Sequence, residues 1–217
     1  MKKELIFLGI ENDSAILLSR SHIECFDVKI HSQEEKIFLE GSEVPQAFEA
    51  IRLVFGNKVI FSDELNQSIV SILRANKKKI TTIESCTGGL LAYQFTSIAG
   101  ASDVYDGGII SYANDIKNQL LGVKEESLKK YGAVSEVVVN EMLGGGLKMF
   151  KADYALATSG VAGPTGGSVA KPIGTVFIGV QKYGEAPIIE RYLLQGDRKH
   201  IQKNSTQKAL EMLAKIL

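Results

Sequence analysis

A short polar run carries three small side chains that could act as nucleophiles. Ser85, Cys86 and Thr87 stand next to one another and are followed by Gly88 and Gly89. A hydroxyl or thiol attacks a carbonyl carbon once a base has taken its proton, so this run suits acyl-transfer chemistry. The turn that such glycines make also leaves backbone N–H groups free for an anion. Glycines at such a place can equally serve only to let two elements pack closely, and the residues alone leave that alternative open.

A second segment of the same character lies further along the chain, at residues 159–168. It reads Ser-Gly-Val-Ala-Gly-Pro-Thr-Gly-Gly-Ser. Neither segment is a P-loop, because no Gly-Lys-Ser/Thr follows the glycines, and neither matches the dinucleotide fingerprint Gly-x-Gly-x-x-Gly. The two segments therefore predict anion binding without indicating a particular nucleotide-binding fold.

The nucleophile needs a base, and histidine is a poor candidate for it here. The three histidines are scattered, none accompanies a Gly-x-Ser-x-Gly elbow, and they show no metal-ligand spacing. Lysine can replace histidine in such pairs. Lys117 lies just after the predicted strand that ends at Tyr112, and its pKa would have to fall from ~10.4 toward ~7–8. On spacing alone, the pattern favours an ordinary surface lysine over a catalytic one.

The elements that must position these residues follow from hydrophobic periodicity. The apolar, β-branched residues 80–84 predict a buried strand, and residues 88–98 predict a helix directly after it. Further strands are expected at 106–112 and 153–158, a hairpin at 173–180 and 188–194, and helices at 116–121, 125–131, 135–150 and from 198 to the end. This alternation predicts an α/β fold over residues 63–217: a three-layer α/β/α sandwich with a mixed sheet. Both polar segments then lie where strands end, which is where α/β sheets bind ligands.

Residues 1–62 predict a small, separate α+β unit. Short β-like runs are expected at 4–10, 15–19, 23–30 and 36–40, and a helix at 44–55. The acidic side chains Glu11, Asp13, Glu34 and Glu35 are interpreted as a solvated surface rather than a site. A unit of this size is marginal alone, so we expect it to pack on the rest of the chain or on a second subunit.

Composition excludes several classes of function. The 217 residues carry 25 Lys and Arg against 25 Asp and Glu, so no net basic field supports direct nucleic-acid binding. Two cysteines make no disulfide framework, and a reducing cytoplasm is the simpler expectation. No apolar run approaches the ~18 residues of a membrane span, and no metal or other cofactor is expected.

Several separate motifs in residues 63–217 resemble one family, the CinA C-terminal domain. This family comprises the competence/damage-inducible proteins and the stand-alone nicotinamide-nucleotide amidases. The motifs are Thr82-Ile-Glu-Ser-Cys-Thr-Gly-Gly-Leu-Leu91, Gly107-Gly-Ile-Ile-Ser-Tyr112 with Lys117 and Leu121-Gly-Val123, Gly132-Ala-Val-Ser135, and Ser159-Gly-Val-Ala-Gly-Pro-Thr-Gly-Gly167 with Lys171-Pro-Ile-Gly-Thr175.

The resemblance implies hydrolysis of the carboxamide of nicotinamide mononucleotide to nicotinate mononucleotide and ammonia. It makes Ser85 the nucleophile, with Tyr112 and Lys117 as activating partners, and it requires no metal. Backbone N–H groups from Cys86 to Gly89 would form the oxyanion hole, and the segment from Ser159 would hold the ribose phosphate. The residues expected to bind substrate are Thr87, Gly88, Gly89, Ser159, Gly160, Ala162, Gly163, Gly166, Gly167 and Thr175.

Two adjacent nucleophiles have to be told apart. Cys86 is chemically the stronger one, since a thiolate needs less help than a hydroxyl. A tight turn lets only one of two consecutive side chains face the edge of the sheet, and a lysine partner suits serine better. We therefore expect Ser85 to face the site and Cys86 to pack into the helix layer.

The resemblance leaves one competing function and some departures. A catalytically silent nucleotide-binding module linked to competence or DNA repair is the alternative; retention of Ser85, Tyr112 and Lys117 favours the enzyme. Long CinA proteins carry a much larger N-terminal domain, resembling molybdopterin-binding proteins, and residues 1–62 are expected to match only their short linking domain.

Gln202 stands where the family often has arginine, and Ala170 where it often has glutamate. A homodimer is expected, because the family tends to associate.

Overall fold

The computed structural model describes residues 1–7, 10–34 and 36–217 in two compact units. One unit comprises residues 1–68 together with Leu217, and the other comprises residues 69–216. Residues 8 and 9 of the predicted strand at 4–10 and the acidic residue Glu35 lie outside the described residues. Within the described part of the chain, no helix is both long enough and apolar enough to cross a membrane.

The first unit is a βαββαβ arrangement with a four-stranded antiparallel sheet in the order β2-β3-β1-β4. Its elements are β1 (Lys2–Phe7), α1 (Asn12–Ile23), β2 (Val28–Gln33), β3 (Lys36–Gly41), α2 (Val44–Phe55) and β4 (Val59–Phe61). Leu39, Ala47 and Ile51 lie fully buried in its core. The expected α+β character is confirmed.

One predicted strand in this unit is wrong, because residues 15–19 belong to helix α1. The buried side chains of α1 include Ala15, Ser19 and Ile23, a four-residue spacing that places them on one helical face. The Ser19 hydroxyl donates to the Ala15 carbonyl at 2.7 Å, so its burial does not leave an unsatisfied hydrogen-bond donor on this face. A five-residue window is too short to distinguish the helical period from the strand period. Packing against the sheet decides in favour of the helix.

The second unit holds the predicted mixed sheet, in the order β6-β5-β7-β8-β9. Its elements are α3 (Leu65–Ala75, which begins in the first unit), β5 (Ile80–Glu84), α4 (Leu90–Thr96), β6 (Tyr105–Ile110), α5 (Asn114–Leu121), α6 (Glu125–Tyr131), α7 (Glu136–Phe150), β7 (Tyr154–Gly160), β8 (Thr175–Lys182), β9 (Ile188–Leu193) and α8 (Arg198–Ala214). Strand β5 is parallel to β6 and β7, whereas β7, β8 and β9 are antiparallel in turn.

Helices cover both faces of this sheet, which confirms the three-layer architecture. Helix α7 packs along one face with α5 and α6 against it, and α4 and α8 pack on the other face and on each other. Strand β5 is buried at all five residues, as a strand with helices on both faces must be.

Three consecutive glycines in α7 have a packing explanation at two positions. A Cβ atom on Gly145 would lie 2.1 Å from the backbone oxygen of Leu121, at the end of α5. A Cβ atom on Gly146 would lie 2.3 Å from the Ile83 side chain in β5. The loss of helix propensity, ~1 kcal/mol per glycine, thus allows α7 to approach both α5 and β5 closely. Gly144 faces open space, and nothing in the structure explains it.

Candidate active site

Ser85 lies directly beyond the carboxyl end of β5, between the ends of two neighbouring strands. Its backbone N–H donates to the carbonyl of Thr158 in β7 at 3.0 Å, which continues the strand ladder by one residue. On the other side, the Ser111 N–H donates to the Glu84 carbonyl at 2.7 Å. The sheet therefore fixes the backbone on which the candidate nucleophile stands.

Lys117 brings its amine to Ser85 from the buried side of α5. The Nζ atom donates to Ser85 Oγ at 3.2 Å and to the Ser111 carbonyl oxygen, and the side chain is only 1% exposed. Burial lowers the pKa of Lys117 to about 8, although the nearby Cys86 opposes this shift. A substantial fraction of the amine is therefore neutral near physiological pH and able to take a proton from the Ser85 hydroxyl.

The neighbouring Cys86 is buried, although it lies near Lys117. Its side chain is 4% exposed, and burial, the largest influence, raises the pKa of its thiol to about 12. The backbone oxygen of Cys86 accepts a hydrogen bond from Gln202 Nε2 of α8 at 2.8 Å. A buried, neutral thiol is a weak nucleophile, so the geometry favours Ser85 for the chemistry.

The carboxylate of Glu84 organises the start of α4. It is 1% exposed and accepts hydrogen bonds from the backbone N–H groups of Gly89 at 2.9 Å, Leu91 at 3.1 Å and Ala92 at 2.7 Å. Of the predicted oxyanion-hole donors, the Gly89 N–H is therefore already engaged. In the residues that the structure describes, the Thr87 and Gly88 N–H groups have no acceptor.

The remaining polar group of this turn is the Thr87 hydroxyl, which is buried. It shares a 2.8 Å hydrogen bond with the hydroxyl of Thr158. The Thr87 side chain thus ties the turn to β7, and the backbone N–H groups of Thr87 and Gly88 remain available for a substrate.

Tyr112 lies at the rim of the site, with its ring 62% exposed. Its hydroxyl accepts a hydrogen bond from Arg198 Nη2 at 2.9 Å, and Arg198 Nη1 donates to the Gly163 carbonyl at 2.9 Å. Arg198 therefore joins the Tyr112 strand end to the second glycine-rich segment. The sequence analysis did not identify Arg198 as a site residue and treated it only as the start of the last helix. The one local signal for it is its position directly after the N-cap Asp197.

The predicted substrate-binding residues of the second segment divide into packed and exposed ones. The Ser159 hydroxyl donates to the Ala133 carbonyl at 2.8 Å, and a Cβ on Gly160 would lie 2.7 Å from the Val176 side chain. Gly166 and Gly167 are exposed. Ala162, Gly163 and Thr175 are buried, and in the part of the chain that the structure describes the Thr175 hydroxyl has no hydrogen-bond partner.

The family model of the CinA C-terminal domain matches residues 62–217. This chain belongs to that family. A CinA-like protein of Thermotoga neapolitana is 45% identical over 155 residues, which are 71% of this chain and 38% of that protein. The chain thus spans well under half the length of this relative.

A shorter CinA relative aligns over nearly its whole length. The nicotinamide-nucleotide amidohydrolase PncC of Escherichia coli is 43% identical over 150 residues, which are 69% of this chain and 91% of PncC. The crystal structure of a competence/damage-inducible protein from Agrobacterium tumefaciens superposes with a TM-score of 0.68 at 37% identity, covering 70% of this chain and 93% of that one.

The structure also places the two positions at which this CinA domain departs from the family motifs. Gln202 donates to the Cys86 backbone, so it supports the turn that follows Ser85. The carbonyl of Ala170 accepts from Arg191 Nη2 at 3.0 Å, at the exposed end of the second segment. Within the described residues, no three His, Cys, Asp or Glu side chains come together as a metal site.

Proposed function

We propose that this chain hydrolyses the carboxamide of nicotinamide mononucleotide to nicotinate mononucleotide and ammonia. The observation that carries the proposal is the contact of Lys117 Nζ with Ser85 Oγ at 3.2 Å, made by a buried amine whose pKa burial lowers to about 8. The 43% identity to PncC, named as a nicotinamide-nucleotide amidohydrolase, supports the choice of substrate.

In the first half of the reaction, the neutral amine of Lys117 takes the proton from Ser85 and Oγ bonds to the amide carbon. The carbonyl oxygen becomes an oxyanion, which the free N–H groups of Thr87 and Gly88 are placed to stabilise. The C–N bond then breaks as the Lys117 ammonium returns its proton to the departing nitrogen. Ammonia leaves, and an acyl ester on Ser85 remains.

In the second half, water replaces ammonia. Neutral Lys117 takes a proton from the water, and the resulting hydroxide attacks the ester carbon. The bond to Ser85 Oγ breaks and Oγ regains a proton from Lys117, so that nicotinate mononucleotide and the free enzyme are restored. The same lysine thus serves as base and acid in each half, which requires a pKa near the working pH.

Arg198 connects the remaining two parts of the proposed site, Tyr112 and the phosphate-binding segment. Tyr112 positions the reacting groups or relays a proton, and Arg198 holds its hydroxyl. The segment at 159–167 receives the ribose phosphate, with Arg198 as a cation beside Gly163. A second cation, Lys171, donates from Nζ to the Tyr131 carbonyl at 2.6 Å beside the same segment. A charge-assisted hydrogen bond from either cation to the phosphate would contribute ~1.5–3 kcal/mol to substrate binding.

The deciding experiment measures ammonia and nicotinate mononucleotide after incubating the purified chain with nicotinamide mononucleotide. We expect equal amounts of both products and none above background for Ser85→Ala. Substrate binding by the unaltered chain with no ammonia release would contradict the proposal. That result would favour the catalytically silent nucleotide-binding module.

A further inference from the structure

The residue directly before the candidate nucleophile buries a carboxylate. Glu84 is 1% exposed, and a charge in that setting is tolerated only when hydrogen bonds replace the lost water. All three of its donors come from the start of α4. Oε2 accepts from the N–H groups of Gly89 and Leu91, and Oε1 accepts from that of Ala92. The negative charge also sits at the helix end that favours it.

These contacts determine which backbone donors of the turn remain available. Glu84 engages Gly89, Leu91 and Ala92, while the Leu90 N–H donates to the Thr87 carbonyl at 3.2 Å. Among the residues that the structure describes, the N–H groups of Thr87 and Gly88 meet no acceptor. Glu84 therefore separates the amides that hold the helix from those that can meet a substrate oxygen.

The same contacts clamp the turn at both of its ends. Ser85 is joined to β7 through the Thr158 carbonyl, and the other end of the turn is joined to the Glu84 side chain. Loss of the Glu84 hydrogen bonds would release one end of the turn that carries Ser85. An error of about 1 Å in a reacting group is enough to cost ~100-fold in rate.

We propose that Glu84 is a positioning residue for amide hydrolysis: it holds the turn at 85–89 so that the Ser85 hydroxyl faces Lys117 and the Thr87 and Gly88 N–H groups face the substrate oxygen. This inference rests on the proposed function. Glu84 has a second effect on the same turn, since its charge opposes ionisation of the adjacent Cys86 thiol. Burial is the largest cause of the raised pKa of that thiol, and the Glu84 charge adds to it.

The test is Glu84→Gln, with Glu141→Gln as a matched control. An amide keeps the size of the side chain but has one NH2 group, which cannot accept from a backbone N–H. Glu141 is also a carboxylate at a helix start: it accepts from the Lys124 N–H at 2.9 Å and the Ser127 hydroxyl at 2.7 Å. We expect kcat to fall about 30- to 100-fold in Glu84→Gln with KM within about 3-fold. Glu141→Gln should keep both constants within about 2-fold.

A second measurement reads the turn without any substrate. In a Cys25→Ser background, the only thiol is Cys86, and its rate of reaction with a disulfide reagent reports how well the turn is held. The pH dependence of the reaction gives the Cys86 pKa in each variant, and rates are compared per thiolate, which separates loss of the Glu84 charge from loosening of the turn. On that basis we expect at least about a 10-fold faster reaction in Glu84→Gln and no change in Glu141→Gln. If Glu84→Gln does not fold, Ala92→Pro removes one donor in the first helical turn, where proline is tolerated, and is expected to act in the same direction.

The outcomes separate the two proposals. An unchanged thiol reaction in folded Glu84→Gln would overturn the positioning role, whether or not the chain is active. An unchanged kcat with a looser turn would overturn it as well. A faster thiol reaction, together with no ammonia release from the unaltered chain, would support the hold of Glu84 on the turn and overturn the proposed function instead.

Discussion

The two glycine-rich segments of this domain have similar compositions and very different surroundings. In residues 85–89, the side chains of Glu84, Thr158 and Gln202 all hold the turn by hydrogen bonds. In residues 159–168, the first part is packed, and the tip from 164 onward is exposed. The hydrogen bonds near that tip are local ones, such as that from the Ser168 N–H to the Lys171 carbonyl at 2.9 Å.

This difference indicates a division of labour. Bond-making groups must be held within a fraction of an ångström, and the first segment has the buried, hydrogen-bonded surroundings that do this. A phosphate group accepts hydrogen bonds from several directions, so an exposed glycine-rich loop can adapt to it. Composition alone made the two segments look interchangeable; their neighbours distinguish them.

The largest effect is expected from removing the candidate nucleophile of residues 85–89. Ser85→Ala should lower kcat at least ~10⁴-fold, because Ser85 Oγ is the hydroxyl to which Lys117 Nζ donates. The variant should keep its thermal stability and bind nicotinamide mononucleotide, which isothermal titration can measure. Retention of more than a tenth of the activity would remove Ser85 from the mechanism.

Replacing the base should have the next largest effect. Lys117→Met conserves length but removes the titratable amine, and we expect a ~10³-fold loss of kcat. Full activity at neutral pH in this variant would end the assignment of Lys117.

The pH dependence tests the same lysine in the unaltered chain. The neutral amine is the active base, so kcat/KM should rise with pH and level off above about 8, the lowered pKa of Lys117. Stability should follow the same group: between about 8 and 10.5 the unfolded chain binds more protons than the folded one. The free energy of unfolding therefore rises with pH in that window relative to Lys117→Met. If the difference in the free energy of unfolding between the two proteins did not change with pH, burial would not lower the pKa of Lys117.

The phosphate-binding segment should show a smaller effect. Nicotinamide riboside, which has no phosphate, should have a kcat/KM lower by ~10- to 150-fold, the equivalent of one charge-assisted contact. Arg198→Ala should lower kcat/KM for the mononucleotide much more than for the riboside, since Arg198 lies beside Gly163. Equal efficiencies for the two compounds in the unaltered chain would remove the phosphate from recognition.

The smallest effect is expected from replacing Cys86, the other possible nucleophile of residues 85–89. Cys86→Ala should keep kcat within about 3-fold, because its thiol is buried and its pKa is raised to about 12. The variant should lose some stability, of the order of 1 kcal/mol, from the missing sulfur. An inactive Cys86→Ala together with an active Ser85→Ala would make the thiol the nucleophile.

Much of the fold could be predicted from local pattern. Strand β5 and helix α6 lie where the sequence predicts them, because a buried apolar run and a capped helix carry their signals within a few neighbouring residues. Helix α1 was missed for the opposite reason, since five residues matched both periodicities. The family and the candidates Ser85, Tyr112 and Lys117 were likewise legible in the motifs.

What only the tertiary structure decided are contacts between residues distant in sequence. Burial of Lys117, which lowers its pKa, depends on how α5 packs its amine against Ser85 and the Ser111 carbonyl. Arg198 reaches Tyr112 across 86 positions of sequence, and no local pattern encodes such a partner. Glu84 looked like any strand-end carboxylate until the start of α4 was seen to donate to it. Charge, burial and hydrogen bonding at a site depend on the whole packing arrangement, whereas periodicity depends only on neighbours.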